Sequence, residues 1–292
     1  MARKGKAPAG TERVRVSPSM ISSNFLGKST FSEKDLEELK NLRWVVPENV
    51  EIPGPEETVP RTREGYVTVF FRFFEGGLRF PCVPFVGEVL KFYEVEIQQL
   101  TVNAFVRLAN FEWAFRMEGV EPDAAAFAAT HKAHARTQTS PLGKDYVSAY
   151  GTINFKPRDE TAVPAKAYKE HWGPNFMSKW FYYKVGEDSN LKSRHGEVFY
   201  IPSPEVPLDS TSRSRVILLQ SIAERLSMQD LCEEFMAARV SPLSPKWANK
   251  FLRTDPMTGE TSVFVPVAKG TDFSPETALF ANGLIYSLQI GT

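Results

Sequence analysis

The sequence predicts an α+β fold that is mainly α, a helical body carrying a small antiparallel β-sheet. Three observations predict it. Residues 103–118 place apolar side chains on almost every side of a helix, leaving a narrow polar stripe, which puts that helix inside a bundle. Residues 146–155 and 179–185 are dense in the aromatic and β-branched types that favour strands. Prolines at 47–60 and again at 202–207 punctuate the chain.

The first 28 residues are small, basic and polar without periodicity, and are expected to be disordered. Leu36, Leu39 and Leu42 then recur at helical spacing, with Glu33, Lys34, Asp35, Glu37 and Glu38 on the other side. Thr30 or Ser32 can cap this helix, and the early acids suit the positive end of its dipole. Pro47, Pro53, Pro55 and Pro60, interleaved with Glu48, Glu51, Glu56 and Glu57, predict an extended acidic connector. Residues 66–74 are ambiguous by periodicity. They are assigned here to a helix stopped by Gly76-Gly77.

Pro84 opens a helix to about Tyr93. Asn103 is the predicted cap of the next helix, which stops at Gly119, and Pro122 suits the first turn of a helix through about His134. The strands 146–155 and 179–185 are expected to pair with each other, with Val198–Ile201 as a third short strand. Val216, Leu219, Ile222, Ala223 and Leu226 predict a further helix, Ser227 caps another, and residues 263–267 fit an edge strand.

The 292 residues are 42 % hydrophobic and 24 % charged, a globular composition large enough for one large domain or two ordinary ones. With 22 Phe, much of the core must be aromatic. Lys plus Arg and Asp plus Glu both total 35, so the net charge is zero. That argues against a chain devoted as a whole to neutralising phosphates, and leaves a local basic face open. No apolar run approaches ~18 residues, so no membrane partner is expected. The basic start (Arg3, Lys4, Lys6) lacks a following apolar core, and an intracellular protein is expected, nuclear or cytoplasmic not being distinguished.

Catalytic patterns find no foothold. Cys82 and Cys232 lie far apart in no metal-like spacing, and read as buried thiols. His131 and His134 can share a helix face, but two imidazoles without matching ligands do not hold zinc, and a solvated helix end is expected. There is no nucleophile elbow and no phosphate-cradling glycine loop. The runs Glu33–Glu38 and Glu233–Glu234 fit solvated helix faces. No catalytic residue, cofactor or metal site is therefore expected.

One region has a functional composition. Residues 132–194 carry eleven basic against six acidic residues, with aromatics between them. The candidate nucleic-acid-binding set is Lys166, Lys169, Trp172, Lys179, Trp180, Tyr182 and Lys184, since basic grooves with exposed aromatics bind single strands by charge and stacking. The competing reading buries the aromatics in a sheet while the lysine heads reach water. Solvent-exposed Trp172, Trp180 and Tyr182 would separate the two.

The chain also resembles a known family. The motifs are Gly77-Leu78-Arg79-Phe80-Pro81, Pro84-Phe85-Val86-Gly87-Glu88-Val89-Leu90 and Gln98-Gln99-Leu100-Thr101-Val102-Asn103-Ala104, followed by Phe111, Trp113, Gly119, Glu121-Pro122-Asp123, Phe127 and Trp180-Phe181-Tyr182. They resemble the gypsy-type transposon domain of plant proteins, over about residues 64–186, with weaker likeness through Leu226–Leu243. The resemblance implies origin in a long-terminal-repeat retrotransposon, from a gag-like region, and brings no established catalytic residues. The resembling residues are mostly Gly, Pro, Phe and Leu, types that specify packing and turns. The division expected is a disordered basic N-terminus (1–28), a short helix with a Pro/Glu-rich connector (29–64), the transposon-like domain (65–201) and a C-terminal helical segment with an irregular tail (202–292). The function expected is a non-enzymatic interaction or assembly module, self-associating or binding another protein. A nucleic-acid-binding protein using 132–194 is the alternative, and a metal-dependent nuclease with converging carboxylates is a third reading.

Overall fold

The computed structural model describes residues 25–61, 63–136, 138–139, 145–163, 172, 175–186, 191 and 199–226, with short strand segments at 14–15, 21–22, 252–254 and 261–263. Among these are six helices and several small, mostly antiparallel sheets, so the expected α+β class holds.

Helix α1 spans Glu33–Asn41. Ser32 begins it, and the Asp35 carboxylate accepts from both the Ser32 N–H (2.9 Å) and its hydroxyl (2.7 Å). The following segment is tied to the rest of the molecule. After a turn at Pro47–Asn49, strand β1 (Val50–Glu51) pairs antiparallel with Tyr182–Tyr183. The connector read as merely extended therefore supplies an outer strand.

Residues 66–74 correct the helical assignment. Tyr66–Phe70 is strand β2, and only Phe71–Glu75 is helix, α2. The β-branched Val67, Thr68 and Val69 fit a pleated surface, and β2 pairs along its whole length with Trp180–Lys184. The glycine stop itself is observed. Gly77 takes φ +108°, and a Cβ on Gly76 would lie 2.9 Å from Val102 Cγ1, so α2 can end hard against the next long helix only as glycine.

Helix α3 (Pro84–Tyr93) starts at proline as expected. Helix α4 (Val102–Met117) is capped by Thr101, not Asn103; the Thr101 side chain accepts from the Ala104 N–H at 3.1 Å. Its side chains are buried on most sides, including Phe105, Phe111, Trp113 and Phe115. Helix α5 (Ala124–Thr130) is capped by Asp123 and is shorter than predicted. At His131 the chain becomes extended, forming strand β3 (His131–Ala135) against β4 (Ile153–Pro157). The period changes there from the helical alanine run to that of a strand, with His131 and Ala133 buried and Lys132 exposed between them.

Strand β5 (Trp180–Lys184) is where expected, but its predicted partner is not. The anticipated strand at 146–155 is two pieces, Asp145–Ser148 and β4, separated by a turn with Gly151 at φ +60°. Strand β4 pairs with β3, and β5 sits between β1 and β2. Phe199–Tyr200 forms the third short strand, against Val14–Arg15. Helix α6 spans Ser210–Ala223, capped by Asp209, whose carboxylate accepts from the Ser212 N–H at 2.7 Å. The helix predicted after Ser227 and the strand residues 264–267 lie outside the described residues. One apolar cluster runs through the described body, from Phe31 to Leu226.

Candidate functional site

The basic–aromatic set divides once it is placed on the fold. Trp180 and Tyr182 point to one face of β5, and Phe181 and Tyr183 to the other. All four are buried, Trp180 at 0 % exposure and Tyr182 at 1 %. The Phe181 ring stacks on Phe31 at 4.3 Å, and Tyr183 stacks on Phe80 at 3.8 Å. On the opposite face Trp180 donates its Nε1–H to the Gly27 carbonyl at 3.1 Å. The Tyr182 hydroxyl donates to Glu57 Oε1 at 2.5 Å and accepts from the Arg61 N–H at 2.6 Å. These rings have no free π-face for a base, which corrects the stacking role expected of Trp180 and Tyr182.

The other members of the set are scattered. Lys179 pairs with Asp35 at 2.5 Å, tying β5 to α1. Lys184 is exposed at the end of β5. Trp172 is half-buried and donates its Nε1–H to Asn103 Oδ1 at 3.1 Å. Lys166 and Lys169 lie outside the described residues. The structure therefore brings Trp180, Tyr182 and Lys184 onto one strand, with Lys179 just before it, without making them one surface.

Sequence reasoning missed the clasp that holds β5. Arg61 makes a two-pronged contact with Glu57, Nε to Oε1 at 2.8 Å and Nη2 to Oε2 at 2.9 Å. Arg61, with the Tyr182 hydroxyl and the Gly54 N–H, overcomes the cost of burial and holds the Glu57 carboxyl at about 2, well below the usual carboxylate range. Burial and the neighbouring Glu57 push the Tyr182 phenol up to about 12. The spacing Glu57-x-x-x-Arg61 was legible, but its partner 121 residues beyond Arg61 was not.

His131 is also relocated. It lies in the core, stacked on Phe127 at 4.2 Å, with Nδ1 2.9 Å from Thr130 Oγ1. Burial, reinforced by the Arg107 and Arg158 charges, drives its pKa down to about 3, so the ring is neutral. The expected solvated helix end is thus a buried strand residue, while His134 is half-buried on the other face of β3. Cys82 is half-buried as a residue, yet the packing around its thiol, with Glu112 nearby, pushes its pKa up and disfavours the reactive thiolate. It borders a cavity of about 270 Å³ walled by Val46, Phe80, Val83, Tyr183 and Leu191. Cys232 is outside the described residues. Among the described residues, no group of three or more His, Cys, Asp or Glu converges as a metal site would require.

Residues 67–134 match the model of the family described as "Putative gypsy type transposon". The resemblance read from the motifs is thus found over a stretch shorter than 64–186, from β2 through α5 into β3. No curated protein and no solved structure matches the chain. Among the described residues, no helix is long and apolar enough to cross a membrane.

Proposed function

We propose that the chain is a non-enzymatic, gag-like interaction module derived from a gypsy-type element. The observation that carries this reading is the state of the chemically capable groups within and beside the matched segment. The His131 ring is buried and neutral, the Cys82 thiol is pushed away from thiolate, and Tyr93 donates its hydroxyl to the His131 carbonyl at 3.0 Å while burial raises its pKa. Glu112 is buried and paired with Arg116 at 2.8 Å. Each is committed to packing, whereas catalysis needs such groups poised in a cleft that substrate can enter.

The partner surface in this reading is the outer side of α6. Arg213, Ile217, Gln220 and Glu224 follow one another at helical spacing, all exposed, and Ile217 is the most exposed large apolar side chain among the described residues at 66 %. The inner side of the same helix is anchored by Leu219 and Ile222, and by Ser212, whose hydroxyl donates to Asp123 at 2.7 Å.

Light scattering of the purified chain tests the reading. A defined oligomer that Ile217→Glu reduces to monomer is the expected result. A monomer at all concentrations, or nicking of supercoiled plasmid in Mg²⁺ or Mn²⁺ that co-purifies with the chain, overturns it.

A further inference from the structure

The β3–β4 ribbon has a dry face and a wet one. His131, Ala133, Ile153 and Phe155 point inward and are buried. The outward face carries exposed Lys132 and Arg136 from β3 and its extension with half-buried His134 between them, and Asn154 and exposed Lys156 from β4. In this register Lys132 stands directly opposite Lys156, and both are exposed. Like charges directly across a strand pair repel and destabilise it.

Many cations elsewhere are matched. Lys28 pairs with Glu56, Lys179 with Asp35, Arg116 with Glu112 and Glu121, and Arg225 with Glu118. On the ribbon neither lysine has an ion pair or hydrogen bond to any described side chain, and Arg136 commits only its backbone N–H, to the Thr152 carbonyl. Arg158 spends its guanidinium on the Ala128, His131 and Pro204 carbonyls, which do not neutralise its charge. The nearest acid in sequence, Asp159, accepts from the Thr161 N–H and hydroxyl. Among the described residues Lys132, Lys156 and Arg136 are thus left without an acid partner, Arg136 lying about 13 Å from Lys132 at the rise of a β-strand.

We propose that this outer face of the β3–β4 ribbon binds the phosphate backbone of single-stranded nucleic acid. Two properties select that ligand. Lys132 and Lys156 stand face to face with Arg136 about 13 Å further along the same side of β3, and a flexible polyanion can lay successive phosphates against them. Among the described residues the face has no exposed aromatic ring, so recognition is electrostatic and indifferent to base. This assignment is independent of the oligomeric state, and it rests on residues other than Trp180, Tyr182 and Lys184.

The test is fluorescence anisotropy of labelled oligo(dT) titrated with the full chain at several salt concentrations. Three phosphate contacts on a single strand predict log K falling against log salt with a slope of about −2. The double variant Lys132→Gln/Lys156→Gln removes two contacts and is expected to flatten the slope by about 1.4. Lys184→Gln is expected to leave it unchanged, and circular dichroism checks that each variant is folded. The proposal is overturned if the wild-type chain shows no salt-sensitive binding, or if the folded double variant keeps the wild-type slope. It is also overturned if polyglutamate competes as well as unlabelled oligo(dT), since the face would then take an acidic protein.

Discussion

Strands β3 and β5 are each five residues long, and they treat water differently. In β5 the first four residues are buried on alternate faces, because Gly27 and the segment Glu57–Arg61 cover one side of the sheet and Phe31, Phe74 of α2 and Phe80 cover the other. In β3 His131 and Ala133 are buried, with Phe127 of α5 against the inner side, while Lys132 is exposed and His134 half-buried on the outer. The comparison explains why aromatic content misleads as a guide to function here. Aromatics collect where two layers close over a strand, and the cations left without acids collect where only one layer does.

The sharpest way to break the comparison is to empty each strand in turn. Trp180→Ala removes a fully buried ring and its bond to Gly27, and is expected to cost about 3–5 kcal/mol in denaturant unfolding. Lys132→Gln on β3 is expected to change stability by no more than about 0.5 kcal/mol. Similar losses at both positions would mean that the outer face of the ribbon is structural.

A smaller effect sharpens the inner face of the ribbon. Its pKa lowered from the ordinary 6.5 to about 3, His131 folds in the neutral form. Its contribution is therefore complete above about pH 6.5 and is lost as pH falls toward about 3. Between pH 6.5 and 5, above the range where ordinary carboxylates titrate, stability is expected to decline with acid. His131→Gln is expected to abolish that slope. A slope that survives His131→Gln would place the titrating group elsewhere.

Much of the architecture was legible because local chemistry specified it. Pro84 at a helix start, the Gly76-Gly77 stop and the apolar girth of α4 each state their structure within a few residues. Strand partnership was not legible. Nothing local to residues 180–184 says that their neighbours are 66–70 and 50–51, because register is set by how faces bury after collapse. The same limit applies to the candidate site. The basic surplus of 132–194 was visible, but which cations face solvent without acids depends on the pairing of β3 with β4. His131 shows it most plainly: read on a helix it is a solvated end, and paired opposite Pro157 it is core.

The most direct test of the distinction between a sealed aromatic sheet and a working basic ribbon is lysine footprinting. The chain is acetylated with and without saturating oligo(dT), and each lysine is followed by mass spectrometry. Protection of Lys132 and Lys156, with Lys28 and Lys184 unchanged, is the predicted result. Protection centred on Lys166, Lys169 and Lys184, or none at Lys132 and Lys156, would contradict it.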